Sequence, residues 1–513
     1  MAGRGCGRTR LEVYGLHSPS RQPLVASRIS VDCSADKPRH PGARRDKRHP
    51  VVKNSDGSGG RREGGAEQRI VCKFGGSSLA SAAQLRKVRA IIEADERRRI
   101  IVPSAPGKRD STDTKITDLL YLCHHAASVG ADFAGPFAQV AERFLAIEQE
   151  LGIEPFLAGH LQQFREAMSP DISADYVASR GEHFSALLLA AWLDAEFVEP
   201  AECIVIGANG LVDEQTWELL GARLADPAKR YVIPGFYGRD AEGHIRTFSR
   251  GGSDVSGAVA ARAANCMLYE NWTDVSGLLM ADPRIVDKPR PMQEVTYAEI
   301  RELSYMGASV LHEEAMAPVR EVGIPVNIRN TNDPSHPGTR IVAELSPAEV
   351  ASTQIAGIAG KTSFAMITIG KNLMNREVGF VYRLLGVFER NGIPFEHCPS
   401  SIDSVSVIVE ASWLEGRAEQ LLEEIRRTLE PDEIDYVPGI ALIAIVGEEM
   451  AHTPGIAARV FAALAGAAVN VQLINQGASE LNIIVGVAPE DYPQAVRSIY
   501  DAFIGQAGPG RSQ

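Results

Sequence analysis

The chain has 513 residues, of which 44% are hydrophobic and 23% charged, and its net charge is −12 at neutral pH. A single hydrophobic core stops growing at about 250–300 residues, so more than one domain is expected. The acidic balance argues against nucleic-acid binding, which needs clustered Lys and Arg. No apolar run approaches the ~20 residues that cross a bilayer.

The first 68 residues are rich in Arg, Gly, Ser and Pro and show neither helix nor strand periodicity. We predict that residues 1–68 form a disordered extension. The segment lacks the apolar stretch of a secretory signal, and its aspartates do not suit an organelle transit peptide. A non-functional extension is favoured over a targeting or basic binding arm. The seven cysteines are scattered without a CxxC pair, which indicates reduced thiols and a cytoplasmic protein.

Regular structure is predicted to begin with a β-type run at residues 69–74, followed by a glycine turn and a helical pattern at 79–94. Further strand patterns lie at 99–102, 202–206, 231–234 and 266–270, and a helix is predicted at 253–265. Alternating strands and helices predict an α/β fold, with helices on both faces of a mainly parallel sheet.

After about residue 346 the pattern changes to a doubled βαββαβ order. The first copy has a strand at 365–369, a helix at 379–390 and a strand at 404–410. The second copy has its elements at 440–446, 455–465, 469–473 and 481–487. This repetition predicts two ferredoxin-like domains.

Two glycine turns precede predicted helices. In Gly75-Gly76-Ser77 the small residues let the backbone approach an anion, and Lys73 stands at the end of the preceding strand, where α/β sheets place ligands. In the second turn, Arg250-Gly251-Gly252-Ser253-Asp254, charged side chains flank the backbone donors. Taken alone, the first turn is better explained by an ordinary tight turn beside a lysine, and the second can be explained by a loop with an Asp helix cap. Together they indicate a phosphate site.

Five motifs occur in the order and spacing found in aspartate kinases. They are Lys73-Phe74-Gly75-Gly76-Ser77-Ser78, Ser179-Arg180-Gly181-Glu182, Gly235-Phe236, Arg250-Gly251-Gly252-Ser253-Asp254 and Thr273-Asp274-Val275. The resemblance extends from about Ile70 to the end of the chain, whereas the P-loop pattern G-x-x-x-x-G-K-[ST] is absent from the sequence.

The resemblance implies an amino-acid-kinase three-layer sandwich with a mainly parallel central sheet at 69–346, followed by tandem regulatory ACT domains at 347–513. The first ACT unit is expected at about 363–432. The second is expected to join 353–360 to 438–505.

The implied reaction transfers the γ-phosphate of ATP to the side-chain carboxylate of L-aspartate, giving 4-phospho-L-aspartate, the first step toward lysine, threonine and methionine. That carboxylate has an ordinary pKa near ~3.9 and is ionised at neutral pH, so no strong general base is needed. The obstacle is repulsion between two anions. Positive charge, backbone N–H groups and Mg²⁺ are expected to hold the carboxylate and the γ-phosphate in line. No metal site made of protein side chains alone is predicted.

The resemblance also implies roles for residues. Lys73 stabilises the transferring phosphoryl group, Asp254 orients that lysine or the metal-nucleotide, and Arg250 holds the α-carboxylate of aspartate in a bidentate pair. Glu182 accepts from the substrate ammonium. The remaining substrate residues are Ser104, Ala105, Thr117, Phe236 and Ser253. The ATP residues are Lys73, Gly75, Gly76, Ser77, Thr273, Asp274 and Arg284.

Three positions depart from the family pattern, and one of them is Ser249, which replaces the usual glycine before Arg250. Many relatives have a tyrosine where this chain has Leu279, and a lysine where it has Ser309. These departures leave open a catalytically silent amino-acid-sensing protein, and a kinase for another amino acid such as glutamate is a further alternative. The retained Lys73, Glu182, Arg250 and Asp254 favour an active aspartate kinase.

Paired ACT units imply an amino-acid effector, lysine or threonine or both, and a homodimer or dimer of dimers that assembles through these domains. The effector site is expected at Asn375, Glu396, Asp403, Ser404, Asn475 and Gln476. The alternative is that the repeat only supports dimerisation.

Overall fold

The computed structural model describes residues 68–249, 251–308, 313–352 and 354–505. The predicted disordered extension therefore lies outside the described residues, except for its last residue, Gln68. Two residues singled out above, Arg250 and Ser309, also lie outside them.

The first part of the chain alternates strands and helices. Its strands are β1 (Ile70–Phe74), β2 (Arg98–Pro103), β3 (Glu196–Phe197), β4 (Tyr231–Val232), β5 (Tyr237–Arg239), β6 (Ile245–Thr247), β7 (Leu268–Thr273), β8 (Glu294–Thr296), β9 (Val326–Asn330) and β10 (Thr339–Val342). Its helices are α1 (Ala82–Glu93), α2 (Ile116–Ser128), α3 (Ala134–Leu151), α4 (Leu157–Ala167), α5 (Ala174–Leu193), α6 (Pro200–Cys203), α7 (Gln215–Arg223), α8 (Gly252–Ala263), α9 (Tyr297–Tyr305), α10 (Ala317–Arg320) and α11 (Pro347–Ser352).

Eight of these strands form one sheet in the order β3-β4-β2-β1-β7-β9-β10-β8. Neighbouring strands are parallel except that β10 runs antiparallel to β9. Alternate residues of the central strand β1 enter two separate cores: Val71 packs with α7 and α8, and Cys72 packs with α1, α2 and α5. Both faces of the sheet are therefore covered, which confirms the predicted three-layer α/β architecture.

Three local predictions differ from the structure, one of them being the strand predicted at 469–473, which is found instead at Leu473–Asn475. Helix α1 begins only at Ala82, because residues 76–79 form a 3-10 turn and the Ser81 hydroxyl caps the helix by accepting from Gln84 N at 3.4 Å. The strand predicted at 202–206 is wrong in its first half. Pro200–Cys203 is a short helix with Glu199 as its cap, and proline suits the first helical turn.

The second part forms a five-stranded sheet with helices. Its strands are β11 (Gly357–Gly370), β12 (Ser404–Glu410), β13 (Glu433–Val446), β14 (Leu473–Asn475) and β15 (Asn482–Val487). Its helices are α12 (Phe380–Arg390), α13 (Ala418–Leu429), α14 (Ile456–Gly466) and α15 (Tyr492–Phe503). The order is β12-β11-β13-β15-β14, and all pairs are antiparallel.

The long strands β11 and β13 each serve both βαββαβ units. Residues Phe364–Gly370 of β11 pair with β12 and with the first half of β13, whereas Gly357–Lys361 pair with the second half of β13, next to β15. The register shifts between Lys361 and Phe364, where the first unit gives way to the second. The repeated pattern in the sequence thus corresponds to one antiparallel sheet, as the predicted fold class requires.

The two parts are joined by hydrogen bonds between backbones and side chains. Ile358 N in β11 donates to Met280 O at 2.7 Å, and Arg290 N donates to the hydroxyl of Tyr500 in α15 at 2.8 Å. The segment that follows β7 is therefore held against the second βαββαβ unit. In the described ranges, no helix is long and apolar enough to cross a membrane.

Candidate active site

The centre of the site is an ion pair between the two glycine turns. Lys73 on β1 is 8% exposed, and its Nζ lies 2.6 Å from Oδ1 of Asp254 in the first turn of α8. Residues 181 positions apart are thereby brought into contact, as expected if both turns serve one phosphate site. Arg250 lies outside the described residues, but the glycines that follow it lead directly into this contact.

Asn271 completes the centre and was not identified from the sequence. It lies on β7 beside Lys73 in the parallel register of β1 and β7 and is 3% exposed. Its Nδ2 donates to Asp254 Oδ1 at 2.8 Å, and its Oδ1 accepts from Lys73 Nζ at 3.4 Å. A buried amide that contacts both charged groups fixes their relative position.

Both turns need glycine because backbones approach closely there. A Cβ on Gly76 would lie 2.9 Å from Ala105 O, and one on Gly252 would lie 2.1 Å from Cδ2 of Phe236. Gly251 has a φ of 58°, the left-handed conformation that glycine tolerates best. The first turn therefore packs against the loop after β2, and the second packs against Phe236.

A cavity of about 470 Å³, here called the polar cavity because most of its lining side chains are polar, lies at the carboxyl ends of β1, β2 and β7; Lys73 and Asp254 do not line it. Its lining includes the predicted residues Gly76, Ser77, Ser104, Ala105, Thr117, Glu182 and Asp274. Lys108 and Lys115 also line it, although the sequence reading did not select them. Predicted substrate and ATP residues therefore share one cationic cavity, which suits a site for two anions.

Glu182 is the buried acid of this cavity. It is 5% exposed, and its Oε2 has no hydrogen-bond partner among the described residues. Burial raises the pKa of Glu182 to about 8, although the nearby Ala105 N–H acts in the opposite direction. A Cβ on Gly181 would lie 2.7 Å from the Ala105 Cβ, so the glycine lets α5 approach the loop. A buried carboxyl group with one oxygen left without a partner suits a cationic group of a ligand.

Other predicted residues lie close to the cavity without lining it. Ser253 and Phe236 adjoin one another at the start of α8, where a Cβ on Gly235 would lie 2.6 Å from Ser253 Oγ. Thr273 ends β7, and its hydroxyl donates to Asp274 Oδ1 at 3.2 Å. Arg284 is 87% exposed and forms an ion pair with Asp282 at 2.6 Å.

Arg284 belongs instead to a second cavity, of about 380 Å³, on the other side of the loop after β7. Its lining is mostly apolar and includes Val275, Leu279 and Leu303. Tyr492 of α15 lines it as well, and no sequence pattern singled that residue out. The predicted ATP residues are thus divided between a polar and an apolar cavity.

The predicted effector residues form two groups. In the first, Asn375 N donates to Ile402 O at 3.2 Å and Asp403 Oδ1 accepts from Leu373 N at 2.9 Å, with Ser404 beginning β12 next to them. In the second, Asn475 Nδ2 lies 3.0 Å from Nδ1 of His397, next to Glu396 in the chain.

Gln476 is exposed at the end of β14. The side chain of Glu396 accepts a hydrogen bond from the hydroxyl of Tyr305 in α9. The second group therefore brings together both βαββαβ units and the first part of the chain.

Comparisons with known proteins agree with this arrangement. Residues 68–330 match the amino acid kinase family, and residues 443–503 match an ACT domain. Aspartokinase 3 of Bacillus subtilis is 38% identical over 452 residues, which are 84% of this chain and 98% of that protein.

Solved structures agree as well. The crystal structure of Clostridium acetobutylicum aspartate kinase, described as an allosteric enzyme, has 47% sequence identity and a TM-score of 0.80, covering 85% of this chain and all of that one. Escherichia coli aspartokinase III, solved with aspartate and ADP, has 25% identity and a TM-score of 0.65, covering 85% of this chain and 99% of that one.

Proposed function

Because the chain belongs to the amino acid kinase family and within it to the aspartokinases, we propose that it transfers the γ-phosphate of ATP to the side-chain carboxylate of L-aspartate. The product is 4-phospho-L-aspartate, a precursor of lysine, threonine and methionine. The observation that carries the proposal is the contact of Lys73 with Asp254 beside a cavity that contains the unpaired carboxyl group of Glu182.

The chemistry requires two anions to meet. The aspartate carboxylate is already ionised, so the barrier comes from its repulsion by the γ-phosphate and from their alignment. Lys73 is close enough to the Gly75 turn, 3.7 Å from a Cβ built there, to donate to a phosphoryl oxygen. Asp254 and Asn271 keep its ammonium in that position. Because the ammonium of Lys73 is already in place, it lowers the barrier to phosphoryl transfer and no group has to reorient during the reaction.

The substrate is held by groups at its other end. Glu182 accepts from the ammonium of aspartate, while Ser104, Ala105 and Thr117 line the pocket. We assign the α-carboxylate to Arg250, on the resemblance to aspartate kinases alone, and we assign Phe236 and Ser253 to the amino-acid pocket.

ATP is proposed to lie along the first glycine turn and the end of β7. Gly75, Gly76 and Ser77 face its phosphates, and Thr273, Asp274 and Arg284 lie further along. The donor set suits a Mg²⁺ held mainly by phosphate oxygens, because Asp274 lines the cavity and no cluster of three His, Cys, Asp or Glu side chains occurs in the described ranges. Mg²⁺ supplies neutralisation of the phosphate charge.

Residues 69–346 are proposed as the catalytic domain and 347–513 as the tandem ACT domains, with the first unit at about 363–432 and the second at about 353–360 plus 438–505. Lysine, threonine or both are the proposed effectors, and the ACT units are the proposed route to a homodimer or dimer of dimers. The thiols of Cys72, Cys123, Cys203 and Cys266 are buried and not disulfide-bonded, which supports a cytoplasmic location.

ATP-dependent formation of aspartyl hydroxamate tests the reaction, with glutamate and no acceptor as comparisons. Lys73→Ala is expected to lower turnover by at least ~10²–10³, the usual loss when one electrostatic donor is removed. Lys229→Ala is the matched control, since Lys229 is an exposed lysine paired with Glu196 at 2.9 Å.

Lys73→Met keeps much of the side-chain volume, and thermal unfolding reports whether each variant is folded. Normal turnover by a folded Lys73 variant would remove the proposed role of this residue. Equal use of glutamate by the unmodified enzyme would contradict the substrate.

A further inference from the structure

The apolar cavity lies next to the polar one. Asp274 lines the polar cavity and Val275, the next residue, lines the apolar cavity, so consecutive residues of the loop after β7 contribute to both. A nucleotide has one strongly anionic end and one flat, largely apolar end. The cationic cavity suits the phosphates, and the apolar one suits the base.

The walls of the apolar cavity come from both parts of the chain. Ile300 and Leu303 of α9 form one side, and Ile358, Tyr492 and Val496 of the second βαββαβ unit form the other. Among its described lining residues, Tyr492 is the single aromatic side chain. A flat aromatic ring is the surface against which a purine base packs best.

The ring of Tyr492 is held in place. Its hydroxyl donates to Gly360 O at 2.9 Å, and a Cβ on Gly360 would lie 2.7 Å from the Tyr492 Cε2. Glycine at position 360 is therefore what allows the ring to lie against β11. Burial, and then the neighbouring Asp282, raise the pKa of Tyr492 to about 12, so its hydroxyl remains a donor at neutral pH.

Helix α15 is itself fixed to the first part of the chain. The Tyr500 hydroxyl accepts from Arg290 N at 2.8 Å, and Arg497 Nη1 donates to Ile285 O at 3.4 Å. These contacts hold residues 285 and 290, in the segment that directly follows Asp282 and Arg284. The ring thus belongs to a prearranged wall of the cavity, which lowers the entropy cost of binding.

We infer that Tyr492 contacts the base of bound ATP, so that the second ACT unit forms part of the nucleotide site. The inference rests on the proposed ATP-dependent function. It adds a specificity residue from the regulatory part of the chain, about 220 positions beyond Asp274 in the sequence.

The test compares binding of ADP and of tripolyphosphate by isothermal titration calorimetry, using the full chain. Tyr492→Ala is expected to weaken ADP binding about tenfold, a typical loss for an aromatic residue that stacks on a base. Tripolyphosphate has no base, so its affinity should stay within about twofold of the parent. Tyr492→Phe keeps the ring and should bind ADP almost as the parent does.

Phe503→Ala is the matched control, because Phe503 is an aromatic residue of the same helix that lines a different cavity. Its ADP affinity should be unchanged. Tyr492→Leu keeps apolar packing without an aromatic ring, so it provides the comparison if the alanine variant does not fold. In kinetic assays the KM for ATP should rise while the KM for aspartate stays constant.

Parental ADP affinity in folded Tyr492→Ala or Tyr492→Leu would overturn the inference, as would equal losses for ADP and tripolyphosphate. Failure of the proposed function would give a result that can be distinguished from failure of the inference about Tyr492. In that case the unmodified protein forms no aspartyl hydroxamate, while the ADP comparison between parent and Tyr492 variants can still be made.

Discussion

At the scale of single residues, the protonation of Glu182 controls what the substrate cavity can bind. Burial raises its pKa to about 8, so in the free enzyme at pH 7 most molecules carry a neutral carboxyl group. A substrate ammonium needs the carboxylate. Binding of aspartate must therefore release a proton, and its affinity is linked to pH.

We predict that the KM for aspartate falls as pH rises from 6 to 8 and levels off above the pKa of Glu182. Below that pKa each unit of pH raises the carboxylate fraction about tenfold, which sets the maximum slope. Initial rates at saturating ATP measure the profile. Calorimetry in two buffers of different ionisation enthalpy counts the released protons.

Glu182→Gln supplies the control for this linkage. The amide has similar size but no charge to gain, so aspartate should bind weakly and with no pH dependence between 6 and 8. A flat KM profile in the unmodified enzyme would show that Glu182 does not receive the ammonium.

At the scale of elements, the start of α8 is set by contact between Gly252 and Phe236. A Cβ at position 252 would lie 2.1 Å from Cδ2 of Phe236, which itself has an unusual positive φ of 79°. Something must move to admit a methyl group. The helix that would move is the one that carries Asp254 to Lys73.

Gly252→Ala is accordingly predicted to lower turnover more than tenfold and to lower the thermal midpoint, because misplacing a catalytic contact by about 1 Å can cost ~10²-fold. Gly159→Ala is the matched control. Gly159 lies inside α4, and a Cβ there would meet no atom within 4 Å.

Alanine at position 159 should leave activity unchanged and stabilise the protein by roughly 0.5–1 kcal/mol, since glycine weakens helix interiors. The effect of Gly252→Ala would then come from its contact with Phe236 and not from replacing a glycine in a helix. If both variants keep parental turnover, the turn does not position Asp254.

Features that are contiguous in the chain could be predicted from the sequence, whereas contacts between distant residues could not. The two glycine turns were recognisable because each is contiguous and stands between a strand pattern and a helix pattern. Asn271 and Tyr492 were not, since their partners Lys73 and Gly360 are 198 and 132 residues away. The strand predicted at 202–206 failed for a local reason: apolar residues in a short run do not distinguish a strand from a helix that begins with Pro200.

At the scale of the whole molecule, helix α9 connects the apolar cavity, which we propose for the nucleotide base, with both ACT units. Ile300 and Leu303 line the cavity. On its other side, Glu302 accepts from Asn482 Nδ2 at 2.6 Å, and the Tyr305 hydroxyl donates to Glu396. An effector ammonium that takes the Glu396 oxygen now bonded to Tyr305 competes with that hydroxyl, and this competition would link effector binding to the position of α9.

The last prediction concerns this link. In Tyr305→Phe the carboxylate of Glu396 no longer accepts a hydrogen bond from α9. The ammonium group of an amino-acid effector then no longer competes with the Tyr305 hydroxyl for that carboxylate. We expect the concentration of lysine or threonine that gives half-inhibition to fall to about one third of the parental value. A threefold change corresponds to the free energy of one modest exposed hydrogen bond. The measurement is hydroxamate formation titrated with each amino acid. Tyr382→Phe is the control, because Tyr382 is 83% exposed on the first ACT unit.

Three results would separate the possible outcomes. Inhibition that strengthens only in Tyr305→Phe supports competition at Glu396. A parental inhibition curve in Tyr305→Phe means that the contact is not broken when the effector binds. A flat titration of the unmodified enzyme with both amino acids contradicts feedback control by them. In that last case the shared strands β11 and β13 would serve assembly rather than sensing, since a ligand without differential affinity for two states cannot shift them.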